Sequence, residues 1–363
     1  MFFLFLRIVI HFMNRILLPI AWCYQGLLIL RHKLFDWNIL PSKAFDFPVI
    51  CVGNLSLGGT GKTPHTEYLI ELLSNEYPVA VLSRGYGRTT KGFRVAKASD
   101  TAATLGDEPM LYHTKHPKIT VAVDEDRVEG VNRLLAEQSD KKPEIILLDD
   151  AFQHRHIKAG LNILLTEYGN LYTNDFLIPA GSLRDVRFAA KRADLIVVSK
   201  TPNDLNEMEK SNIIKKLKPL PHQKVFFSSL EYEPLIAGNT TALETDSKNA
   251  DAALLFTGIA NPNPLIEKIK SQYLHFDSLS YSDHHPYTEK DLQHIMKRYH
   301  DLEGSHKIIV TTEKDYARIK NSPYLCSFES VPLFVAPIHV CFDEKERFNK
   351  EILSYVRKNA HHC

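Results

Sequence analysis

The chain has 363 residues, of which 44% are hydrophobic and 24% charged, an ordinary globular composition and enough for about two domains. Its net charge is +1, although residues 1–45 carry five basic side chains and one acidic one. The rest of the chain is therefore slightly acidic, which argues against nucleic-acid binding. Five cysteines without CxxC or Cys/His spacing indicate neither a disulfide framework nor a zinc site, and they favour a reduced, cytosolic protein.

The first thirty residues are apolar but are interrupted by Arg7 and Arg15. A signal peptide has its charges first and ends in a small-residue cleavage site, which is not the pattern here. The longest uncharged run, residues 16–30, has 15 residues and contains Pro19, whereas a spanning helix needs about 20. The pattern favours a helix lying in the headgroup layer of a membrane, with a spanning helix and a helix packed on the protein's own core as alternatives.

From residue 47 to about residue 230, apolar β-rich runs alternate with helical patterns, which predicts a parallel sheet with crossover helices. The predicted strands are residues 48–54, 79–85, 119–124, 144–150, 162–168, 194–200 and 224–230, and the predicted helices are residues 61–75, 125–137 and 204–216. A polar stretch follows and is a candidate linker. A second α/β set then has predicted strands at residues 253–260, 274–282, 307–315 and 332–340 and a predicted helix at 288–300.

These patterns predict an α/β protein with a P-loop NTPase-like, mostly parallel sheet, a smaller second α/β domain and an N-terminal membrane-docking helix. The expected divisions are residues 1–45 for the membrane-interacting segment, 46–232 for the P-loop domain, 233–251 for the linker and 252–363 for the C-terminal domain.

A glycine-rich loop directly follows the first predicted strand of the sheet. It consists of Ser56, Leu57, Gly58, Gly59, Thr60, Gly61, Lys62 and Thr63. In such loops backbone N–H groups surround phosphate oxygens, the lysine adds a charge, and the following hydroxyl ligates Mg²⁺. Ser56 departs from the standard pattern, which has glycine there. The loop predicts binding of a nucleoside triphosphate, ATP in the simplest case, but it does not indicate the reaction.

Two carboxylates, Asp149 and Asp150, end the predicted strand 144–150. A buried strand delivers them to the carboxyl edge of the sheet, where Mg²⁺ on a P-loop nucleotide needs acidic ligands. Such a pair can also cap the next helix, but adjacent carboxylates repel each other unless a cation lies nearby. We therefore predict a magnesium site that uses Thr63, Asp149 and Asp150, with Gln153 able to orient water, metal or phosphate.

Several motifs recur together along the chain. They read GGTGKTP, SRGYGR, GDEP, DR, LLDDAFQHR, PAGSLR, FTGIANP, SDHHPY and TTEKD, in this order. In this combination the chain resembles the tetraacyldisaccharide 4′-kinase family of lipid A biosynthesis, over about residues 47–315. Visible departures are Ala151, where the family usually has glycine, and Asp185, where glutamate is usual.

The resemblance implies that ATP phosphorylates the 4′-hydroxyl of a tetraacyldisaccharide 1-phosphate, giving lipid IVA. It also implies a peripheral or monotopic enzyme at the cytoplasmic face of the inner membrane, docked by its N-terminal helix, with no protein partner expected. Lys62 and Thr63 would hold phosphates and Mg²⁺, and Asp149, Asp150 and Gln153 would complete the metal and nucleotide site.

For the transfer itself, the resemblance implies that Asp107 is the general base on the 4′-hydroxyl and that His284 is its partner. A carboxylate held by an imidazole can accept a sugar hydroxyl's proton. Because these two residues fall in different predicted domains, domain closure is expected to assemble the pair. Arg184, Tyr86 and Arg127 would contact phosphates or the disaccharide.

Two other functions fit the residues alone. A membrane-associated GTPase switch would use the same loop, but it needs an Asn-Lys-x-Asp guanine motif, and the nearest strings, at residues 199–202 and 313–315, do not match it. A soluble small-molecule kinase would bury the apolar N-terminus in its own core.

Overall fold

The computed structural model describes residues 16–136, 142–320 and 325–360. These residues form two compact units. The first contains the described residues up to Arg84, those of Asp124–Leu230 and those from Val340 onward, and the second contains Gly85–Val123 and Glu231–His339. The division differs from the expected limits, since Asp107 groups with the C-terminal residues. Asp107 and His284 thus lie in one unit, and the expectation that two domains must close to bring them together is corrected.

A mostly parallel sheet lies at the centre of the first unit. Numbered along the chain, its strands are β2 (Val49–Asn54), β3 (Val79–Ser83), β6 (Ile145–Asp149), β8 (Leu161–Glu167), β9 (Leu195–Ser199), β10 (Lys224–Tyr232) and β16 (Ile338–Phe342). They follow the order β16-β10-β9-β8-β2-β6-β3, in which the edge strand β16 is antiparallel to β10. The residues of β2, β3 and β6 are all buried, as expected for nearly continuous apolar strands covered on both faces. A separate short pair joins β1 (Lys43–Ala44) to β7 (Ile157–Lys158).

Helices follow most strands of this unit. They are α1 (Leu18–Asp36), α2 (Lys62–Leu73), α5 (Arg127–Ala136), α6 (Glu207–Leu217) and α11 (Lys345–Asn359), with a 3₁₀ segment at Arg187–Arg192. The last helix belongs to this unit because Tyr355 reaches the central strand, where its Oη accepts a hydrogen bond of 3.1 Å from the Val49 N–H. The expected C-terminal domain, residues 252–363, therefore loses its closing helix to the first unit.

Helix α1 has two different apolar faces. Ala21, Leu28, His32 and Phe35 are buried on one side, while Ile20, Leu27 and Leu30 on the other side, and Ile16 just before the helix, expose more than half of their surface. Among the described residues, no helix has both the length and the hydrophobicity that crossing a bilayer requires. The first part of the predicted membrane segment, including Arg7 and Arg15, lies outside the described residues.

The second unit is built on a five-stranded sheet. Its strands are β11 (Ile236–Ala237), β12 (Ala252–Thr257), β13 (His275–Ser280), β14 (Lys307–Thr312) and β15 (Leu333–Ala336), in the order β11-β15-β14-β12-β13. All pairings are parallel except that of β11 with β15. The short strands β4 (Arg94–Val95) and β5 (Thr120–Val123) pair antiparallel. The helices are α3 (Ala102–Leu105), α4 (Asp107–Lys115), α7 (Thr240–Leu243), α8 (Asn263–Lys270), α9 (Glu289–Asp301) and α10 (Glu313–Lys320), with 3₁₀ segments at Ser247–Asn249 and Leu325–Phe328.

The parallel α/β prediction is confirmed, but some limits are corrected. The strand predicted at 307–315 ends at Thr312, because Thr312 Oγ1 accepts a hydrogen bond from the Asp315 N–H, which starts α10. The strand predicted at 332–340 is divided at Pro337, which has no N–H to donate to a ladder. The predicted linker, residues 233–251, contains β11, α7 and a 3₁₀ segment.

Candidate functional site

The phosphate-binding loop joins β2 to α2, as predicted. Gly58 and Gly61 have φ values of 97° and 85°, in the left-handed region that favours glycine. Ser56 instead forms an isolated antiparallel bridge with Leu183 and is not among the described residues with positive φ. The first glycine of the standard pattern is therefore not needed here, because this position is extended.

A second loop lies along this one and carries Arg184. The Leu57 N–H donates to the Ser182 carbonyl at 2.7 Å, and the Arg184 N–H donates to the Leu55 carbonyl at 2.8 Å. The Arg184 guanidinium then reaches the amide of Asn54 at the end of β2, with Nη2 2.6 Å from Oδ1. Asn54 also donates to the Thr60 hydroxyl at 2.8 Å, so this one buried amide links both loops.

Asp150 lies between the two basic residues of the site. Arg184 donates to both of its carboxylate oxygens, and Lys62 Nζ is 3.8 Å from Oδ2. Burial alone would raise the pKa of Asp150, but the positive charges of Lys62 and Arg184 outweigh it and hold that pKa below its ordinary value. With both oxygens engaged by Arg184, Asp150 is an ion-pair partner of Arg184 and Lys62.

Asp149 has different surroundings. It ends β6 opposite Val52 of β2, is buried, and accepts a long hydrogen bond of 3.4 Å from the Ser83 hydroxyl. Thr63, in the first turn of α2, is also buried. A buried carboxylate and a hydroxyl are oxygen donors of the kind that Mg²⁺ takes, so the residues fit the predicted ion. Gln153 lies at the neighbouring end of β2, where its Nε2 donates a hydrogen bond to the Asn54 carbonyl.

A role for His65 was not predicted, yet its side chain is hydrogen-bonded to the glycine loop. Its Nδ1 is 2.7 Å from the Gly61 carbonyl and its Nε2 is 2.9 Å from the Ser228 hydroxyl. Because a carbonyl only accepts, Nδ1 carries the proton and Nε2 accepts from serine. Burial lowers the pKa of His65 to about 4, so the ring is neutral at physiological pH. The GKTPH string contained this residue, but its partner Ser228 is 163 positions away.

The second unit holds the predicted catalytic pair. Asp107 is the first residue of α4, and its Oδ2 lies 2.7 Å from Nδ1 of His284. The hydrogen bond to Asp107 raises the pKa of His284, against the lowering effect of burial. The neighbouring carboxylates of Glu108 and Asp283 also raise the pKa of His284. The pair is thus formed within this unit, with the imidazole oriented by the carboxylate.

The three predicted substrate residues have different environments. The Tyr86 side chain is exposed, and its ring contacts that of His284 edge-on, with 5.8 Å between centroids. Arg184 is in the phosphate region described above. Arg127 is buried, and its Nη1 donates to the carbonyls of residues 124 and 125. Burial lowers the pKa of Arg127, opposed by the charges of Asp149 and Asp150.

The chain contains a glycine-rich loop of the kind that binds phosphates and a carboxylate–imidazole pair that can take up a hydroxyl proton, and a phosphotransferase of the P-loop class uses groups of both kinds. The family model described as LpxK: Tetraacyldisaccharide-1-P 4'-kinase matches residues 13–357. The chain belongs to this family.

Similar proteins match this chain over nearly its whole length. The tetraacyldisaccharide 4'-kinase of Bacteroides thetaiotaomicron is 44% identical over 367 residues, which cover 96% of each chain. That of Flavobacterium johnsoniae is 42% identical and covers 96% of this chain and 99% of its own. The crystal structure of the "apo" form of LpxK from Aquifex aeolicus in complex with ATP is 26% identical, with a TM-score of 0.71 over 95% of this chain and 99% of that one. A GTPase switch and a soluble small-molecule kinase are not favoured by these matches.

The neutral state of His65 predicts a pH-dependent stability. The unfolded imidazole titrates near 6.5 and the folded one near 4, so the unfolded state takes up a proton first as the pH falls. The stability contributed by the neutral ring is present above pH 6.5 and is lost as the pH falls towards 4, by roughly 3 kcal/mol. In urea titrations, the difference in unfolding free energy between the wild type and His65→Asn should therefore shrink over this interval. His222→Asn, at an exposed histidine of the same unit, is the control, and a constant difference for His65→Asn would contradict the assignment.

Proposed function

We propose that this protein transfers the γ-phosphoryl group of ATP to the 4′-hydroxyl of a tetraacyldisaccharide 1-phosphate, forming lipid IVA. The observation that carries the proposal is the contact of 2.7 Å between Asp107 and His284 in a chain that also has a phosphate-binding loop. A nucleotide switch needs only the loop. A kinase for an unactivated hydroxyl also needs a proton acceptor, which this pair supplies.

The proposed step has a simple balance. The 4′-oxygen forms a bond to the γ-phosphorus, and the bond from that phosphorus to the bridging oxygen breaks, leaving its electron pair on ADP. The hydroxyl proton passes to the Asp107–His284 pair. Asp107 is the base of this proposal, and His284 orients it and shares the proton.

Phosphate binding is assigned to residues 56–63. The N–H groups at Gly58, Gly59 and Gly61 would face phosphate oxygens, and Lys62 and Arg184 would neutralise their charge once they exchange Asp150 for phosphate. Thr63 and Asp149 would hold Mg²⁺, with Asp150 and Gln153 beside them. When bound, Mg²⁺ neutralises charge on the β- and γ-phosphates.

Contacts to the acceptor are assigned to Tyr86 and, in the phosphate region, to Arg184. The exposed ring of Tyr86 beside His284 offers a flat apolar surface of the kind on which sugar rings pack. Arg127 is assigned a weaker role, because its guanidinium is buried against its own loop. It acts through the electrostatics of Asp149 and Asp150.

The lipid substrate requires access to a membrane surface, and we assign this to α1 at the cytoplasmic face of the inner membrane, where ATP is present. The exposed residues Ile20, Leu27 and Leu30 recur at helical spacing along one side of α1, and Ile16, just before the helix, is exposed as well. Trp22 and Trp37 are exposed as well, and tryptophan is enriched at lipid–water interfaces. The protein would lie in the headgroup layer as a peripheral or monotopic enzyme.

The transfer can be tested directly. Purified protein, labelled ATP and Mg²⁺ should transfer phosphate to a tetraacyldisaccharide 1-phosphate in detergent micelles, and GTP should compete poorly with ATP. Absence of a labelled lipid product would contradict the proposed function.

Removal of either member of the pair should abolish most turnover. Asp107→Ala and His284→Ala are each expected to lower kcat by about 10²–10⁴-fold, the usual contribution of general acid–base catalysis. ATP affinity, measured by calorimetry, should stay within about twofold because the phosphate loop is untouched. The matched controls are His294→Ala and Asp301→Ala, at exposed positions of α9. Near-normal kcat in both Asp107→Ala and His284→Ala would contradict the assignment.

Loss of the exposed face of α1 should release the protein from membranes. Leu27→Ser with Leu30→Ser removes two leucines that are 66% and 53% exposed, and each should weaken binding to anionic vesicles about tenfold or more. Sedimentation with vesicles measures this, with circular dichroism to check the fold. The control pair, Leu243→Ser with Leu274→Ser, removes leucines of the second unit that are 76% and 82% exposed. Unchanged binding of the α1 variant would contradict docking through this face.

A further inference from the structure

Asp315 is a fully buried carboxylate that the proposed mechanism does not use. It accepts hydrogen bonds from the hydroxyls of Thr257, Tyr287 and Thr312, at 2.9, 3.0 and 2.6 Å. The Gly258 N–H donates to both of its oxygens, at 3.1 Å each. A buried charge is tolerated only when it is paired and hydrogen-bonded, and these neutral donors leave the negative charge itself to be balanced.

Arg318, one turn further along α10, supplies that balance. Its Nη1 donates to Asp315 Oδ1 at 2.6 Å and to the Gly258 carbonyl at 2.9 Å. The other edge of the same guanidinium faces Asp107, with Nε 2.9 Å and Nη2 2.8 Å from Oδ2. Only 5% of the Arg318 side chain is exposed. One rigid, planar group thus joins a buried structural carboxylate to the proposed base.

The contacts to Asp107 are asymmetric. Within the described part of the chain, the hydrogen bonds to its carboxylate all end on Oδ2, from Arg318 on one side and from His284 Nδ1 on the other. Oδ1 is therefore the oxygen that remains for a substrate hydroxyl. A carboxylate held by a single imidazole could rotate about its Cβ–Cγ bond, whereas one held at Oδ2 from two directions has a defined orientation.

The same group explains why segments of three of the sequence motifs come together, two of which, FTG and TTEKD, have no role in the proposed mechanism. FTG supplies Thr257 and Gly258, SDHH supplies the loop of His284, and TTEKD supplies Thr312 and Asp315. Gly258 is needed for their approach, because a Cβ at this position would lie 3.0 Å from the Ser282 carbonyl and 3.3 Å from Asp315 Oδ1. Asp315 and Arg318 thus tie the histidine loop and α10 to the start of α4.

We propose that Arg318 is a positioning residue for phosphoryl transfer: anchored by Asp315, it fixes the Asp107 carboxylate so that Oδ2 orients His284 while Oδ1 faces the acceptor hydroxyl. This role rests on the proposed function of the Asp107–His284 pair. Arg318 touches neither substrate in this assignment, and its effect is exerted through Asp107.

The charges around the pair set the sign of the pH effect. Asp107, Glu108, Asp283 and Asp315 are acidic, and the positive groups are Arg318, Lys314, which binds Glu108 at 3.1 Å, and His284 when protonated. Burial would raise the pKa of Asp107, but His284 and Arg318 outweigh it and keep that pKa below its ordinary value. Nη2 of Arg318 also lies 3.5 Å from His284 Nδ1, which opposes protonation of the ring. Loss of Arg318 therefore raises the pKa of both members of the pair.

The test compares Arg318→Met and Arg318→Lys with Arg298→Met. Arg298 also pairs with an aspartate of the second unit, Asp277, but has no contact with the dyad among the described residues. We expect Arg318→Met to lower kcat about tenfold or more at unchanged KM for ATP, and to move the acidic limb of the kcat profile to higher pH. Arg318→Lys keeps the positive charge but not the planar, bidentate guanidinium. The acidic limb of its kcat profile should therefore lie close to that of the wild type, whereas its kcat should be only partly recovered. Arg298→Met should match the wild type in all of these.

A second variant separates this role from simple destabilisation. Because Arg318→Met leaves Asp315 buried and uncompensated, Asp315→Asn with Arg318→Met removes that charge and should recover folding without recovering kcat. A purely structural role predicts instead that activity follows the folded fraction and that the acidic limb stays in place, which would overturn the proposal. So would wild-type kcat in folded Arg318→Met.

The readout does not depend on activity alone. NMR titration of His284 should show its pKa raised in Arg318→Met and unchanged in Arg298→Met. If the wild type transfers no phosphate but the pKa of His284 is still raised in Arg318→Met, the proposed function is refuted and the interaction of Arg318 with the pair is upheld. If the wild type is active but the pKa of His284 is unchanged in Arg318→Met, only the proposed role of Arg318 is refuted.

Discussion

Strand β2 is the element on which the phosphate site depends. It pairs in parallel with β6 on one side and β8 on the other, and parallel strands end at the same edge of a sheet. The register that places Asp149 opposite Val52 therefore also places this carboxylate beside the beginning of the glycine loop. All six residues of β2 are buried, so a shift in register would move buried side chains to the wrong positions and is disfavoured.

The two charge clusters of the molecule follow the same physical rule. In the first unit the partly exposed Asp150 pairs with Lys62 and Arg184, and in the second the buried Asp315 pairs with Arg318, whose other edge holds Asp107. A buried ion pair contributes little net stability, because desolvation costs about as much as the attraction returns. Its benefit is geometric, since a planar guanidinium accepts only a few arrangements of its partners. Both clusters thus hold reactive groups in defined orientations at little cost in free energy.

Much of this could be predicted from the sequence because it is local. The P-loop, the acidic strand end and the apolar strands are readable over fewer than ten residues, and they lie where they were expected, apart from the limits of two strands in the second half of the chain. Contacts between distant segments were not readable: His65 meets Ser228, and Arg318 meets Asp107, across 163 and 211 positions. The division of the chain was missed for the same reason, since a segment inserted between β3 and α5 folds with residues more than a hundred positions away. The start of α10 was readable, because Thr312 and Asp315 have capping spacing, but the apolar run before them masked it.

The departure at Asp185 shows how a substitution becomes meaningful only in three dimensions. Asp185 is buried beside Arg184, and its Oδ1 lies 2.6 Å from Nε2 of His32, on the buried face of α1. Arg155 contacts the same imidazole at 3.0 Å, and Arg31 donates to the Gln153 carbonyl at 3.1 Å. The helix whose other face is apolar and exposed is therefore hydrogen-bonded to the loop that carries Arg184 and to the loop that carries Gln153. Any surface that orients the exposed face of α1 also orients Arg184 and Gln153 with respect to that surface, because the connection between them is a short chain of direct hydrogen bonds.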